Sequence, residues 1–208
     1  MEADGETADF FAVVHRQRAC RAFTAGPIDD DTVALVLEAA TAAPSAENRQ
    51  PWVFVVVRDP VKRAAIGDLM RRVWEGGARA FSEDRLASGL LVDVDRGARG
   101  GVAAAPVLIV VGADTTLAHP ATVGASLFPA VQNLLLAATA LGLGSVLTTL
   151  AVSSMSGGSD ELASLVGLPP TVTPVAVVPL GWPERRLRPA RRRPLSEVTH
   201  RETYGKSW

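Results

Sequence analysis

The longest apolar run of this chain constrains its fold more than any other feature. Gly101–Ala113 is broken by Pro106 and continues as Val107, Leu108, Ile109, Val110 and Val111 before Gly112. It is too short to cross a bilayer. Branched residues between two breakers predict a buried strand over Pro106–Gly112. A buried strand needs partners and cover. Trp52–Val57 is aromatic and β-branched and is turned by Asp59 and Pro60, so it is predicted as a second strand. Val146–Val152 and Pro174–Gly181 are predicted as two more.

Helical signals separate these runs. A short helix is predicted around Ala8–Gln17. Asp29–Asp31 offer N-caps and favourable charge to a helix whose Val33, Val36, Leu37 and Ala40 share one face, and which stops before Pro44. Another runs from Val61 to Trp74. Gly124–Leu141 is apolar nearly all round and predicts a central buried helix; Gln132 and Asn133 in its middle argue against a membrane span. Ser159 is placed as the cap of a last short helix that ends at Gly167. Residues 75–101 are polar and glycine-rich and predict a variable loop insertion or lid. These elements predict one domain over residues 1–208, of mixed α and β class, with a layer of helices on a sheet of undetermined strand order.

Composition removes several function classes. With 48% hydrophobic and 21% charged residues and a net charge of −1, most of the chain cannot be disordered. The single cysteine, Cys20, excludes a disulfide framework and any Cys-rich metal centre. His15, His119 and His200 are isolated, so no metal site is expected. Glu2, Asp4, Glu6 and Asp9 are the reverse of a basic export signal, and a soluble cytoplasmic protein is expected. Mean hydropathy of +0.19 is high for a lone soluble domain and predicts a surface covered by a partner. Charge is uneven: residues 1–181 carry −6 and residues 182–208 carry +5, concentrated in Arg185, Arg186, Arg188, Arg191, Arg192 and Arg193. Such a run can be a solvated face, a nucleic-acid patch or a grip on one phosphate.

Three segments could carry chemistry. In Arg16-Gln17-Arg18-Ala19-Cys20-Arg21-Ala22-Phe23, Arg18 and Arg21 stand three apart and can converge on one anion. Taken alone, two solvated arginines and a buried inert thiol explain it better. Ala43-Pro44-Ser45-Ala46-Glu47-Asn48-Arg49-Gln50-Pro51-Trp52 is a proline-bracketed loop in which Asn48 and Gln50 carry amides able to read a heterocyclic imide edge. Gly142 and Gly144 precede Leu147-Thr148-Thr149 and let backbone approach a flat ligand. No third glycine follows them and a helix, not a strand, precedes them, so no dinucleotide fingerprint is supported.

Together these segments resemble the flavin-dependent nitroreductase family. Gln17–Phe23 is similar to its basic–basic–small–x–Arg/Lys–x–Phe/Tyr motif, and Ala43–Trp52 matches its Ala-Pro-Ser-x-x-Asn-x-Gln-Pro-Trp loop at every specified position. Val131–Leu150 resembles its central helix and following strand. Gly181-Trp182-Pro183 and Arg192–Val198 resemble its ending. Two positions depart: Gln17 stands where many members have arginine, and Ala19 where many have serine.

The resemblance implies an α+β fold with a mainly antiparallel central sheet flanked by helices, in an intertwined homodimer with shared FMN sites. It assigns Arg18 and Arg21 to the flavin phosphate and pyrimidine edge, and backbone contacts to Ala19 and Cys20. Pro44, Ser45, Ala46, Asn48 and Gln50 would line the ring and ribityl chain, partly from the other subunit. Leu147, Thr148 and Thr149 would lie against the ring, and Arg192 would hold the phosphate. The chemistry would sit on flavin N5 with no catalytic side chain. The activity implied is NADH- or NADPH-dependent reduction of a nitroaromatic, a quinone or a related electron-poor small molecule, by ping-pong hydride transfer. Neither nucleic acid nor membrane is expected as a partner. Alternatives on the same fold are a flavin- or deazaflavin-dependent biosynthetic dehydrogenase and a non-catalytic flavin-binding protein.

Overall fold

A computed structural model describes residues 10–117, 119–153, 157–188 and 190–208. Its sheet has the order β1 (Trp52–Val57), β2 (Val107–Asp114), β4 (Val172–Gly181), β3 (Gly144–Ser145), and every neighbouring pair is antiparallel. This is the mainly antiparallel α+β arrangement that the sequence resemblance implied.

β2 is buried from Val107 to Ala113, so both of its faces are covered. Val107, Ile109 and Val111 join Ala176, Val178 and Leu180 of β4 on one side. They pack there with Val33, Val36 and Ala40 of α2 (Asp30–Thr41) and Val131 and Leu134 of α6 (Pro120–Ala140). Leu108, Val110 and Val177 point to the other side. They meet Ile66, Leu69 and Met70 of α3 (Pro60–Val73) and Leu162 of α7 (Gly158–Val166). The predicted single layer of helices is therefore two. A strand apolar at every position has two faces to bury.

Local signals place the helices around this core. Asp29 caps α2 by accepting the Thr32 N–H at 2.6 Å, a bond that holds its carboxyl below the usual carboxylate range. Asp59 caps α3 in the same way from Lys62 at 2.8 Å, with Pro60 at the first helical position. α1 runs Phe10–Arg16; Ala8 and Asp9, the start of the predicted first helix, lie outside the described residues.

Four expectations need correction. Val146–Val152 is not a strand: the ladder beside β4 stops after Ser145. Only Thr148 returns to it, exchanging two 2.9 Å bonds with Val177, and Leu150–Val152 forms a 3-10 turn. The apolar residues of that stretch are satisfied by burying Val146 and Ala151 beside α3 and α7 instead of by pairing. Ser159 does not cap α7, because the helix begins at Gly158 after Gly157 in the left-handed region. α6 buries only one stripe within the chain, including Leu127, Val131, Leu134 and Ala138, and leaves Ala125, Phe128 and Gln132 exposed. Although α6 is long and apolar enough to cross a membrane, it packs on α2 and the sheet as a core helix does.

The fourth correction concerns residues 75–101, which are helical through most of their length. Two five-residue π turns, Trp74–Ala78 and Gly97–Gly101, flank α4 (Arg79–Glu83) and α5 (Ser88–Arg96). Ion pairs spaced four apart, Arg79–Glu83 and Asp95–Arg99, support helix in a stretch with little apolar content. Buried Trp74 donates its indole N–H to Asp95 at 2.9 Å and fastens the segment to the core.

Candidate functional site

Backbone pairing carries the first basic segment onto the sheet. The Cys20 N–H donates to the Ser145 carbonyl at 2.9 Å, and Ala19 bridges Ser145 in parallel. A Cβ on Gly144 would lie 2.6 Å from Cys20 Sγ, so only glycine admits this approach. Thr24 donates to the Trp182 carbonyl at 2.9 Å and Glu184 to that of Ala22 at 3.1 Å. These bonds draw the start of the arginine run alongside Arg18 and Arg21.

Between them lies a cavity of about 880 Å³, lined by Arg18–Ala22, by Gly89, Leu90 and Asp93, and by Arg185–Arg188 and Ala190. Five guanidinium groups (Arg18, Arg21, Arg185, Arg186, Arg188) face it against one carboxylate, Asp93. Arg21 Nη1 lies 2.9 Å from Asp93 Oδ2, and Arg185 Nη2 lies 3.3 Å from Asp93 Oδ1. Arg18 donates from Nη1 to the Gln17 carbonyl at 2.5 Å, while its buried Nε has no partner among the described residues. An orphaned guanidinium donor at a strongly basic hollow is chemistry suited to an anion. Burial pushes the Cys20 thiol up, which disfavours the thiolate, and its S–H donates to the Ala22 carbonyl at 3.3 Å.

The proline-bracketed loop is built differently. Ser45 Oγ accepts the Gln50 N–H at 3.0 Å, and the Ala46 N–H donates to buried Ser126 Oγ of α6 at 3.1 Å. Asn48 and Gln50 bond each other at 3.2 Å. Glu47, Asn48 and Gln50 all adopt left-handed φ, between 50° and 54°. Three such non-glycine residues in one loop store strain of the kind that clusters at binding sites. A hollow of about 240 Å³ lies beside the Ala46–Ser126 contact, lined by Ala46, Glu47 and Arg49 of the loop and by His119, Thr122 and Ser126.

Within one chain the two halves do not meet. Gln50 precedes β1 at the end of the sheet where Asp114 pairs with Val172, and Pro51 accepts the Asp114 N–H. Cys20 sits at the opposite end, where Ser145 pairs with Leu180. Eight strand residues separate those ends, roughly 26 Å at about 3.3 Å per residue.

The structure thus brings Arg18, Ala19, Cys20 and Arg21 together. Pro44, Ser45, Ala46, Asn48 and Gln50 form a second group at the far end. Leu147 packs toward α2 and α6, Thr148 bridges Val177, and Thr149 is exposed. Arg192 does not line the cavity; it is exposed and bonds the Arg191 carbonyl at 3.3 Å. Arg185, Arg186, Arg188 and Asp93 do line it, and sequence reasoning did not single them out as ligand contacts. The basic tail was visible, but pairing of Ala22–Thr24 with Trp182–Glu184 decides which arginines reach the cavity.

Comparison with known proteins agrees with this architecture. The profile described as "Nitroreductase family" matches residues 14–182. The chain is 34% identical over 201 residues to the 5,6-dimethylbenzimidazole synthase of Rhodospirillum rubrum, covering 88% of this chain and 92% of that one. It is 30% identical over 208 residues to an NADH dehydrogenase of Thermus thermophilus, covering 95% and 98%. A nitroreductase with bound FMN from Desulfitobacterium hafniense DCB-2 superposes with a TM-score of 0.73 at 25% identity, covering 93% and 98%. By sequence and by fold, the chain belongs to the nitroreductase family.

Proposed function

We propose that this protein is an FMN-dependent oxidoreductase. It takes reducing equivalents from NADH or NADPH and passes them, by a ping-pong mechanism, to an electron-poor small molecule such as a nitroaromatic or a quinone. One observation carries the reading: a basic cavity with an orphaned arginine donor at one end of the sheet, and a strained amide-bearing loop at the other. A two-fold homodimer places opposite ends of two sheets together twice, which completes two equivalent sites. The exposed stripe Ala125, Phe128 and Gln132 on α6 leaves a helix face for that partner.

Arg18, with Arg185, Arg186 and Arg188, would hold the FMN phosphate, and Arg21 the pyrimidine edge. Backbone of Ala19 and Cys20 would close the floor. Pro44, Ser45, Ala46, Asn48 and Gln50 of a second copy would meet the ring and ribityl chain, with Leu147–Thr149 on its other side. Bound FMN supplies the hydride acceptor and donor chemistry. The chain itself orients the substrates, excludes water and places fixed positive charge where reduction adds negative charge. Residues 1–208 act as one soluble cytoplasmic domain, and 75–101 border the cavity and shape access to it. A biosynthetic oxidation on the same cofactor is the second reading, favoured by the likeness to the Rhodospirillum rubrum synthase.

The purified protein should bind FMN, show the absorption of oxidised flavin, and bleach with NADH or NADPH without oxygen. Parallel reciprocal plots with a nitroaromatic or quinone acceptor are expected. A protein that takes up FMN but is reduced by neither nucleotide would contradict the reductase reading and favour a binding role.

A further inference from the structure

We infer that Asp93 is a positioning residue that holds Arg21 and Arg185 together at the basic cavity and sets their net charge. Its two carboxylate oxygens are divided between them, Oδ2 at 2.9 Å from Arg21 and Oδ1 at 3.3 Å from Arg185. The Arg21 side chain is only 19% exposed and that of Asp93 28%, so solvent screens this pair less than the other ion pairs of α5. α5 itself buries no residue. It is fastened by polar contacts: Asp93 to the two arginines, Arg96 to Glu184 at 2.6 Å, and Asp95 to Trp74 at 2.9 Å and Arg79 at 3.2 Å.

The backbone beyond α5 is moulded on the same arginine. A Cβ on Gly97 would lie 2.9 Å from Arg21 Cδ, and one on Gly101 would lie 2.3 Å from the Arg21 carbonyl oxygen. The helical 75–101 segment therefore meets Arg21 through one charged contact and two glycine approaches, while Gly89 and Leu90 line the cavity beside it. Two guanidinium groups this close would repel without the shared carboxylate. With it, the trio carries a net +1 where the two arginines alone would carry +2.

This inference rests on the proposal that FMN binds beside Arg21. Positive charge there favours the reduced cofactor, which carries more negative charge, so Asp93 holds the midpoint potential below the value two free arginines would set. The experiment is a charge cycle read as the midpoint potential of the FMN-loaded protein. Asp93→Asn should raise the potential, Arg185→Gln should lower it, and the double variant, again net +1, should return to the wild-type value. Asp93→Glu should stay near wild type. If Asp93→Asn does not fold, the fall in Arg185→Gln and its recovery in the double variant carry the same test. Potentials that do not follow the net charge of the trio, including an Asp93→Asn value unchanged or lowered, overturn the inference. Arg21→Ala separates the premise: if it changes neither FMN affinity nor potential, the FMN assignment at this cavity has failed instead.

Discussion

The Cys20 N–H donates to the Ser145 carbonyl at 2.9 Å, and this bond joins two sequence segments that lie 125 positions apart. It makes the basic segment an extra edge beside β3, so that Arg18 and Arg21 are held by sheet backbone and not by a free loop. The bond requires Gly144 to pass close to Cys20.

Gly144→Ala should therefore destabilise the fold. Its methyl would sit 2.6 Å from Cys20 Sγ and 3.1 Å from Pro183 Cγ, an overpacking that typically costs about 1–3 kcal/mol. Denaturant unfolding should show that loss, and Cys20→Ala in the same background should recover part of it. Additive losses would mean that the contact is not the cause.

Arg21→Ala should weaken FMN binding by roughly 1.5–3 kcal/mol, the usual worth of a hydrogen bond to a charged group, or about 10- to 150-fold in Kd. Quenching of free FMN fluorescence during titration measures it. Wild-type affinity would remove Arg21 from the site.

The arginine run separates two assignments. Arg188 lines the basic cavity and Arg192 does not. Arg188→Ala should cost FMN affinity and leave riboflavin, which has no phosphate, almost unchanged, while Arg192→Ala should cost little because Arg192 lies outside the cavity lining. The opposite ranking would restore the phosphate role that the family motif gives Arg192.

Much of the fold was legible because the signals were local. Trp52–Val57 has the predicted bounds, and Asp29 caps α2 as its position before Val33 and Val36 required. Val107–Val111 announced its burial by lacking any polar alternation, but the cover on both of its faces was missed, and a single helical layer was expected. What was not legible depends on distant partners. The polar stretch after Trp74 is helical because Asp95 gathers Trp74, Arg79 and Arg99, a convergence that no single window displays. Val146–Val152 looks like a strand by composition, yet its ladder is cut short as Val146 and Ala151 turn into the core. In the site, Arg18 and Arg21 were readable as a pair, whereas Asp93 and Arg188 reach them through tertiary pairing alone.

Acid should loosen the α5 region before the core. The Trp74 indole N–H, and then Arg99, hold the Asp95 carboxyl below the usual carboxylate range. A carboxyl lowered on folding contributes stability that is fully present above its unfolded value of about 4, and loses it as pH falls through the lowered one. Protection of residues 88–96, taken relative to the intrinsic exchange rate at each pH, should fall on descending through that window, and Asp95→Asn should show the low protection already at neutral pH. Protection independent of pH in the wild type would remove Asp95 as the anchor.

The central claim is that each FMN site takes Arg18 and Arg21 from one chain and the Ser45–Gln50 loop from another, and complementation tests it most directly. Two variants that each fail to bind FMN, Arg18→Ala with Arg21→Ala, and Ser45→Ala with Asn48→Ala and Gln50→Ala, are co-expressed with different tags. The mixed dimer is then isolated and titrated. A shared site predicts recovery of one FMN per mixed dimer, because one of its two sites combines both intact halves. No recovery in a mixed dimer of demonstrated composition would place the whole site within a single chain and contradict the account.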